Sequence, residues 1–107
     1  MEYLAVPYTH PDPKVMAYRF RVATQIASKL FMAGRKIYSP ISHSHPIAQY
    51  GLPKDWEFWQ EYDREMLSHC SRLIVVKMDG WLQSKGIKAE VMMAHELGIE
   101  IEFMEYF

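Results

Sequence analysis

Two short uninterrupted apolar runs decide most of what this chain can become. They are Tyr3-Leu4-Ala5-Val6, closed by Pro7, and Leu73-Ile74-Val75-Val76, followed by the polar turn Met78-Asp79-Gly80-Trp81. A strand that carries no charge has no face to show to water, so both runs read as interior strands covered on two sides. Behind the second run comes a helical pattern from Ser84 through Glu90 to Gly98. The order is strand, loop, helix. In an open α/β sheet, ligands bind in such loops, at the carboxyl ends of the strands.

The rest of the chain repeats that order. Tyr8-Thr9-His10-Pro11-Asp12-Pro13 reads as a loop, with Asp12 as a helix N-cap and Pro13 as the first helical residue. From Lys14 to Ala33 the apolar residues recur mostly every three or four positions, which predicts a long amphipathic helix ended by Gly34. Lys36-Ile37-Tyr38-Ser39 predicts a short strand stopped by Pro40. The stretch from Ile41 to Pro53 is rich in Ser, His, Pro and Gly and breaks both periodicities. It predicts a long loop holding at most one helical turn, at Pro46–Tyr50. Loops of this length inside compact domains are usually functional or disordered, and its place after the second strand favours function. Asp55 predicts the cap of a helix from Trp56 to Cys70, with Trp56, Trp59, Tyr62, Met66 and Leu67 on its apolar side. After Gly98, Ile99 to Phe103 alternates with period two and predicts a final strand with one face less buried. Strands alternating with helices imply a single domain, residues 1–107, built on a parallel sheet with helices on both faces.

Composition narrows the function classes. The chain of 107 residues has room for one modest core. Its formal net charge is -1, with Lys and Arg spread along the sequence, so nothing points to a nucleic-acid polymer. No apolar run approaches the ~20 residues that span a bilayer, and no basic region opens the chain. Neither a membrane span nor a signal peptide is therefore expected. The single cysteine, Cys70, cannot form an internal disulfide; it fits a reducing, cytoplasmic setting and reads as a quiet, partly buried thiol. Eight methionines and an aromatic share of 14% predict either a generous core or a subunit interface rich in such residues. No G-x-G-x-x-G follows a strand and no P-loop is present, so no cofactor is expected.

Several residues stand where chemistry is done. Ser84 reads as an N-cap and Gly86 keeps the first helical turn slim. Gly86 and Ala94 flank Glu90 four residues away on the same helix face, leaving little bulk around its carboxylate. The helix dipole favours its ionised form. Glu90 is then either a reachable carboxylate or an ordinary surface glutamate. Tyr8 either orients a neighbouring carboxylate or substrate hydroxyl, or lies as an aromatic lid over a helix end. Asp63 either converges on Glu90 or sits on the surface paired with Arg64. Two carboxylates about a glycosidic carbon permit nucleophile and acid–base roles. His43-Ser44-His45 looks at first like a metal pair, but a catalytic zinc site takes three protein ligands, and His10, His69 and His95 lack motif spacing. No metal is expected. Ser39, Ser42, His43, Ser44 and His45 form either a polar loop for a phosphate, sugar or base, or a solvated one. Asp79 before Gly80 is a turn residue. Trp81 either stacks on a planar base or covers the core.

Three pieces together carry a likeness: Tyr3-Leu4-Ala5-Val6-Pro7-Tyr8, Asp63-Arg64-Glu65-Met66-Leu67, and Ser84-x-Gly86-x-x-x-Glu90-x-x-x-Ala94. In this order, over nearly the whole chain, they resemble the nucleoside 2-deoxyribosyltransferase superfamily. The segment from Ser39 to His45 resembles a branch of small proteins of unassigned function within it. The resemblance implies a flavodoxin-like or Rossmann-like α/β/α sandwich with a mainly parallel sheet of four to five strands. It implies that Glu90 attacks the anomeric carbon, that Tyr8 orients it, and that Asp63 lies on the side of the departing base. Ser84 would hold a 5′-phosphate beside Gly86 and Pro7. Ser39, His43, His45 and Trp81 complete the substrate-binding candidates. A small-molecule nucleoside or nucleotide is the implied ligand, and a homo-oligomer (dimer or tetramer) the implied assembly, with a neighbouring subunit completing the pocket. Met92 departs from the pattern, since glycine often stands two residues after the glutamate. The function expected is N-glycosidic cleavage or transfer; the alternative is a non-catalytic nucleotide-binding or sensing module.

Overall fold

The computed structural model describes residues 1–106. Its elements run β1 (Glu2–Ala5), α1 (Pro13–Met32), β2 (Ile37–Tyr38), α2 (Pro40–Ala48), α3 (Trp56–Ser68), β3 (Arg72–Lys77), α4 (Lys85–Leu97) and β4 (Glu100–Glu105). The strands form one four-stranded sheet in the order β2-β1-β3-β4, and each neighbouring pair is parallel. The central pair is β1 with β3, Tyr3 opposite Leu73 and Ala5 opposite Val75. These are the two charge-free runs, each flanked by strands and covered on both faces.

Side chains alternate across a strand, so each run feeds two cores. On one face Leu4, Val6, Ile74 and Val76 pack with Val22, Ala23 and Ala27 of α1 and Ile41 of α2. On the other, Tyr3, Ala5, Leu73 and Val75 pack with Leu67 of α3 and Ile87, Met93 and Ala94 of α4. The result is a three-layer α/β/α sandwich of Rossmann-like type, as expected. Helix α1 begins where the sequence says: the Asp12 carboxylate accepts from the Lys14 N–H at 2.9 Å and Pro13 follows it. Gly34, at φ +88°, ends it. Helix α3 starts after Asp55 but stops at Ser68, two residues early, and the Asp55 side chain makes no cap bond. Cys70 lies buried after it, its thiol donating to the Met66 carbonyl.

The amino ends of the strands carry a charge network. The Arg35 guanidinium donates to Glu2 at 2.5 Å and to Glu102 at 2.8 Å. Arg72 reaches Glu100 at 2.9 Å and Glu102 at 3.4 Å. Hydrogen bonds from Arg35 are the largest cause holding the Glu2 and Glu102 carboxyls below their usual range.

One expectation fails in the fold. Residues 40–48 form helix α2, not a loop. Pro40 stands in its first turn, where an N–H has no helical partner to lose. The Ser39 carbonyl accepts from the His43 N–H at 3.1 Å. Ile41, His45 and Ala48 share a face; Ile41 and Ala48 are buried and His45 is half-buried between them. That stripe hides in the sequence because one of its three members is a histidine, and because Pro46 inside the helix reads as a breaker. Among the described residues no helix is long and apolar enough to cross a membrane.

Candidate functional site

After β1 the chain steps to one side of it to make β2, then returns past it to make β3 on the other side. That reversal opens a crevice at the carboxyl ends of β1 and β3. A cavity of about 70 Å³ lies there. The end of β1 lines it with Ala5 and Val6, α2 with Ser44 and His45, the segment before α3 with Lys54 and Asp55. Helix α3 adds Trp56, Trp59 and Asp63, and α4 adds Gly86 and Glu90 behind its cap Ser84.

Glu90 is the only charged residue buried in the core among the described residues, at 6% exposure. The Tyr3 phenol donates to its carboxylate at 2.5 Å. Alternation along β1 sends residues 3 and 5 to the α4 face, and so aims this hydroxyl at Glu90. Burial is the largest cause pushing the Glu90 carboxyl up to about 8; the Tyr3 hydrogen bond opposes the rise and the Asp63 charge adds to it. Burial thus works against the ionised form that the helix dipole favours. The dipole acts mainly within the first turn, and desolvation at position 90 outweighs it. The small neighbours are as expected. Ala94 is fully buried. At Gly86 an added Cβ would stand 3.4 Å from the Trp56 ring, so glycine lets that indole close over the helix.

Asp63 converges on the same cavity, and burial raises its carboxyl to about 7. It does not pair with Arg64, which instead bonds Glu96 at 3.0 Å. Two carboxyls that feel each other titrate as a unit, so the site holds one proton between them over a range near neutrality. Ser84 caps α4 as expected, its hydroxyl accepting from the Ile87 N–H at 3.2 Å.

Tyr8 lines the cavity but does not reach Glu90. Its hydroxyl meets His45 Nδ1 at 2.6 Å, and the phenol on Glu90 is Tyr3. Pro7 ends the strand's alternation, so Tyr8 belongs to the loop. There Arg19 donates to the Tyr8 and Thr9 carbonyls, both at 3.3 Å. Gly80, at φ +95°, leaves room for that guanidinium: an added Cβ would stand 2.5 Å from it.

Four other candidates do not line the cavity. Pro7 is fully buried. The Ser39 hydroxyl pairs with Ser42 at 2.8 Å. The His43 ring stacks on Tyr62, centroids 5.5 Å apart. On a helix, residues two apart point about 200° away from each other, so the helix that delivers His45 turns His43 elsewhere. Trp81 packs over the α4-side core, its ring 5.9 Å from Phe103, which answers its two readings in favour of core.

Four residues of the site show no functional signal in the sequence. Tyr3 reads as core, although it is the one residue of its run with a hydrogen-bonding tip. Trp56 and Trp59 read only as an apolar stripe, although 56, 59 and 63 share one helical face and so place two indoles beside a carboxylate. Lys54 carries no signal of its own. Among the described residues no group of three or more His, Cys, Asp or Glu is gathered to hold a metal.

A family model described as "Domain of unknown function (DUF1937)" matches residues 1–106, and the chain belongs to that family. No curated protein matches it.

Proposed function

For this member of the DUF1937 family we propose cleavage or transfer of the N-glycosidic bond of a nucleoside or nucleotide, with Glu90 as nucleophile and Asp63 as acid–base. One observation carries the reading: a buried carboxyl held by a phenol shares a cavity with a second carboxyl of raised pKa. N-glycosidic cleavage passes through a cationic, oxocarbenium-like sugar, which a fixed carboxylate stabilises and captures. The base leaves more readily when it is protonated. The values of about 8 for Glu90 and about 7 for Asp63 favour the shared proton on Glu90, so the step proceeds from the less populated form in which Tyr3 donates to an ionised Glu90 and Asp63 carries the proton. A Glu90 oxygen then bonds the anomeric carbon as the carbon–nitrogen bond breaks. The electron pair leaves on the base nitrogen, which takes the proton of Asp63. In the second step the Asp63 carboxylate accepts a proton from water or from a second base as that acceptor displaces Glu90. Trp56 and Trp59 suit the flat face of a base. Ser84 suits the sugar or its phosphate. The buried, unpaired Cys70 supports a reducing, cytoplasmic setting. Tyr50, 93% exposed, and Phe58, 48% exposed, support a homo-oligomer.

The test is chromatographic base release. Wild type and Glu90→Gln are incubated with ribo- and deoxyribonucleosides and their 5′-monophosphates, with and without an acceptor base. Release by wild type alone is expected; base exchange without net release makes the protein a transferase. The second reading, a nucleotide-binding or sensing module, is favoured by the raised pKa of Glu90, since a neutral carboxyl is a poor nucleophile. Folded wild type that turns over no member of the panel would decide for it.

A further inference from the structure

The α2 side of the cavity holds a polar pair that the glycosidic step does not use. His45 is fixed by three contacts. Its Nδ1 lies 2.6 Å from the Tyr8 hydroxyl. Its ring stacks on Phe20 at 4.5 Å and meets the Tyr8 ring edge-on at 5.6 Å. Burial keeps the imidazole neutral by lowering its pKa, with Lys54 adding to the effect, and burial also keeps the Tyr8 phenol neutral. Between a neutral phenol and a neutral imidazole the phenol is the stronger acid, so it donates. A neutral imidazole that accepts at Nδ1 carries its proton on Nε2. Among the described residues Nε2 has no hydrogen-bond partner. Lys54, whose ammonium can only donate, lines the same cavity. Asp55, the next residue along the chain, also lines the cavity and is exposed.

We propose that Tyr8 locks His45 as a hydrogen-bond donor, and that this donor, together with Lys54, selects bases that present an oxo group over bases that present an amino group at the same position. Hypoxanthine is taken over adenine, and uracil over cytosine. The inference rests on the reading of the cavity as a nucleoside site and names its substrate class. The physical ground is asymmetry. A carbonyl oxygen accepts from both donors. An amino group sets donor against donor and leaves buried groups unpaired, which discriminates more strongly than size does.

Titration calorimetry near neutral pH tests it on Glu90→Gln, which binds without consuming the ligand. Inosine is compared with adenosine, and uridine with cytidine. The oxo member of each pair is expected to bind roughly tenfold to a hundredfold more tightly. Equal affinities, a reversed order, or no binding by any of the four overturns the inference. Tyr8→Phe, checked for an unchanged melting curve, keeps the ring packing but frees the tautomer. Its oxo-to-amino ratio is expected to fall towards one, chiefly because the amino member gains. A purely structural role for Tyr8 would weaken both members alike, and an unchanged ratio in the folded variant also overturns the lock. The two proposals fail separately. Oxo preference without base release by wild type sinks the glycosidic reading alone, and base release without preference sinks this one alone.

Discussion

The two ends of the sheet use the same kind of residue for opposite purposes. At the amino end, Glu2 and Glu102 sit against Arg35, and their carboxyls are held below the usual range. At the carboxyl end, Glu90 and Asp63 lie in a crevice with no ion pair among the described residues, and their carboxyls are raised to about 8 and about 7. One end neutralises charge with charge and ties the strand ends together. The other withholds the counter-ion and offers a phenol instead. The difference teaches where proton traffic is available. A carboxylate bound to arginine stays ionised through neutrality, whereas an unpaired buried pair changes state there.

The sharpest break in that comparison is Glu90→Gln. Base release should fall by about a thousandfold or more. Stability should move the other way. The neutral form favours the fold fully below Glu90's ordinary 4.5, and that advantage drains away as pH rises towards about 8. The slope is about 1.4 kcal/mol per pH unit for an uncoupled group. Glutamine loses nothing over this window, so its melting temperature should pull ahead of wild type; parallel melting profiles would show that Glu90 does not titrate in the fold. Next comes Asp63→Asn, which should cost about a hundredfold in base release. The loss should be smaller for bases that depart easily without a proton, and a uniform loss across leaving groups would remove Asp63 from the acid role. Tyr3→Phe should cost about tenfold near neutrality. The phenol holds the Glu90 pKa down, so the rising limb of the pH–rate profile should shift to higher pH; an unmoved limb would break the link. The smallest effect belongs to the amino end. Arg35→Met should leave base release unchanged and lower stability by about 1 kcal/mol at neutral pH, as the partly exposed pairs suggest. Glu2 and Glu102 have lowered pKa values, so their contribution is present above 4.5 and should vanish as pH falls through their folded values. Denaturation midpoints at neutral and acid pH would show it.

Much of this was legible in the sequence, and the reasons differ by element. The central strands could be read because burial on both faces demands runs without charge. The caps of α1 and α4 could be read because Asp12 and Ser84 supply oxygens that the first N–H groups lack. Glu90 and Asp63 could be named but not placed by spacing, which left each with a surface reading as well; the family resemblance chose between the two. Helix α2 could not be read, because its identity rests on the burial of Ile41 and Ala48 rather than on the propensities of Ser, His and Pro. Tyr3 could not be assigned either, because only the three-dimensional meeting of β1 with α4 separates a core tyrosine from one that grips a carboxylate. The same meeting explains why the later tyrosine, Tyr8, which follows the strand, misses Glu90.

The proline within α2 has a further consequence. Pro46 offers no N–H, so the Ser42 carbonyl lacks its helical partner, and a helix of nine residues has few others to spare. Such a segment is held in place by what it leans on rather than by its own ladder. The expected consequence is faster amide exchange over residues 40–48 than in β1 and β3, and equal rates would show that α2 opens only with the sheet. A ligand that bonds His45 closes the α2 wall of the crevice by the same act, so tightening of the backbone around residues 40–48 and occupancy of the cavity become one event, visible in slowed amide exchange.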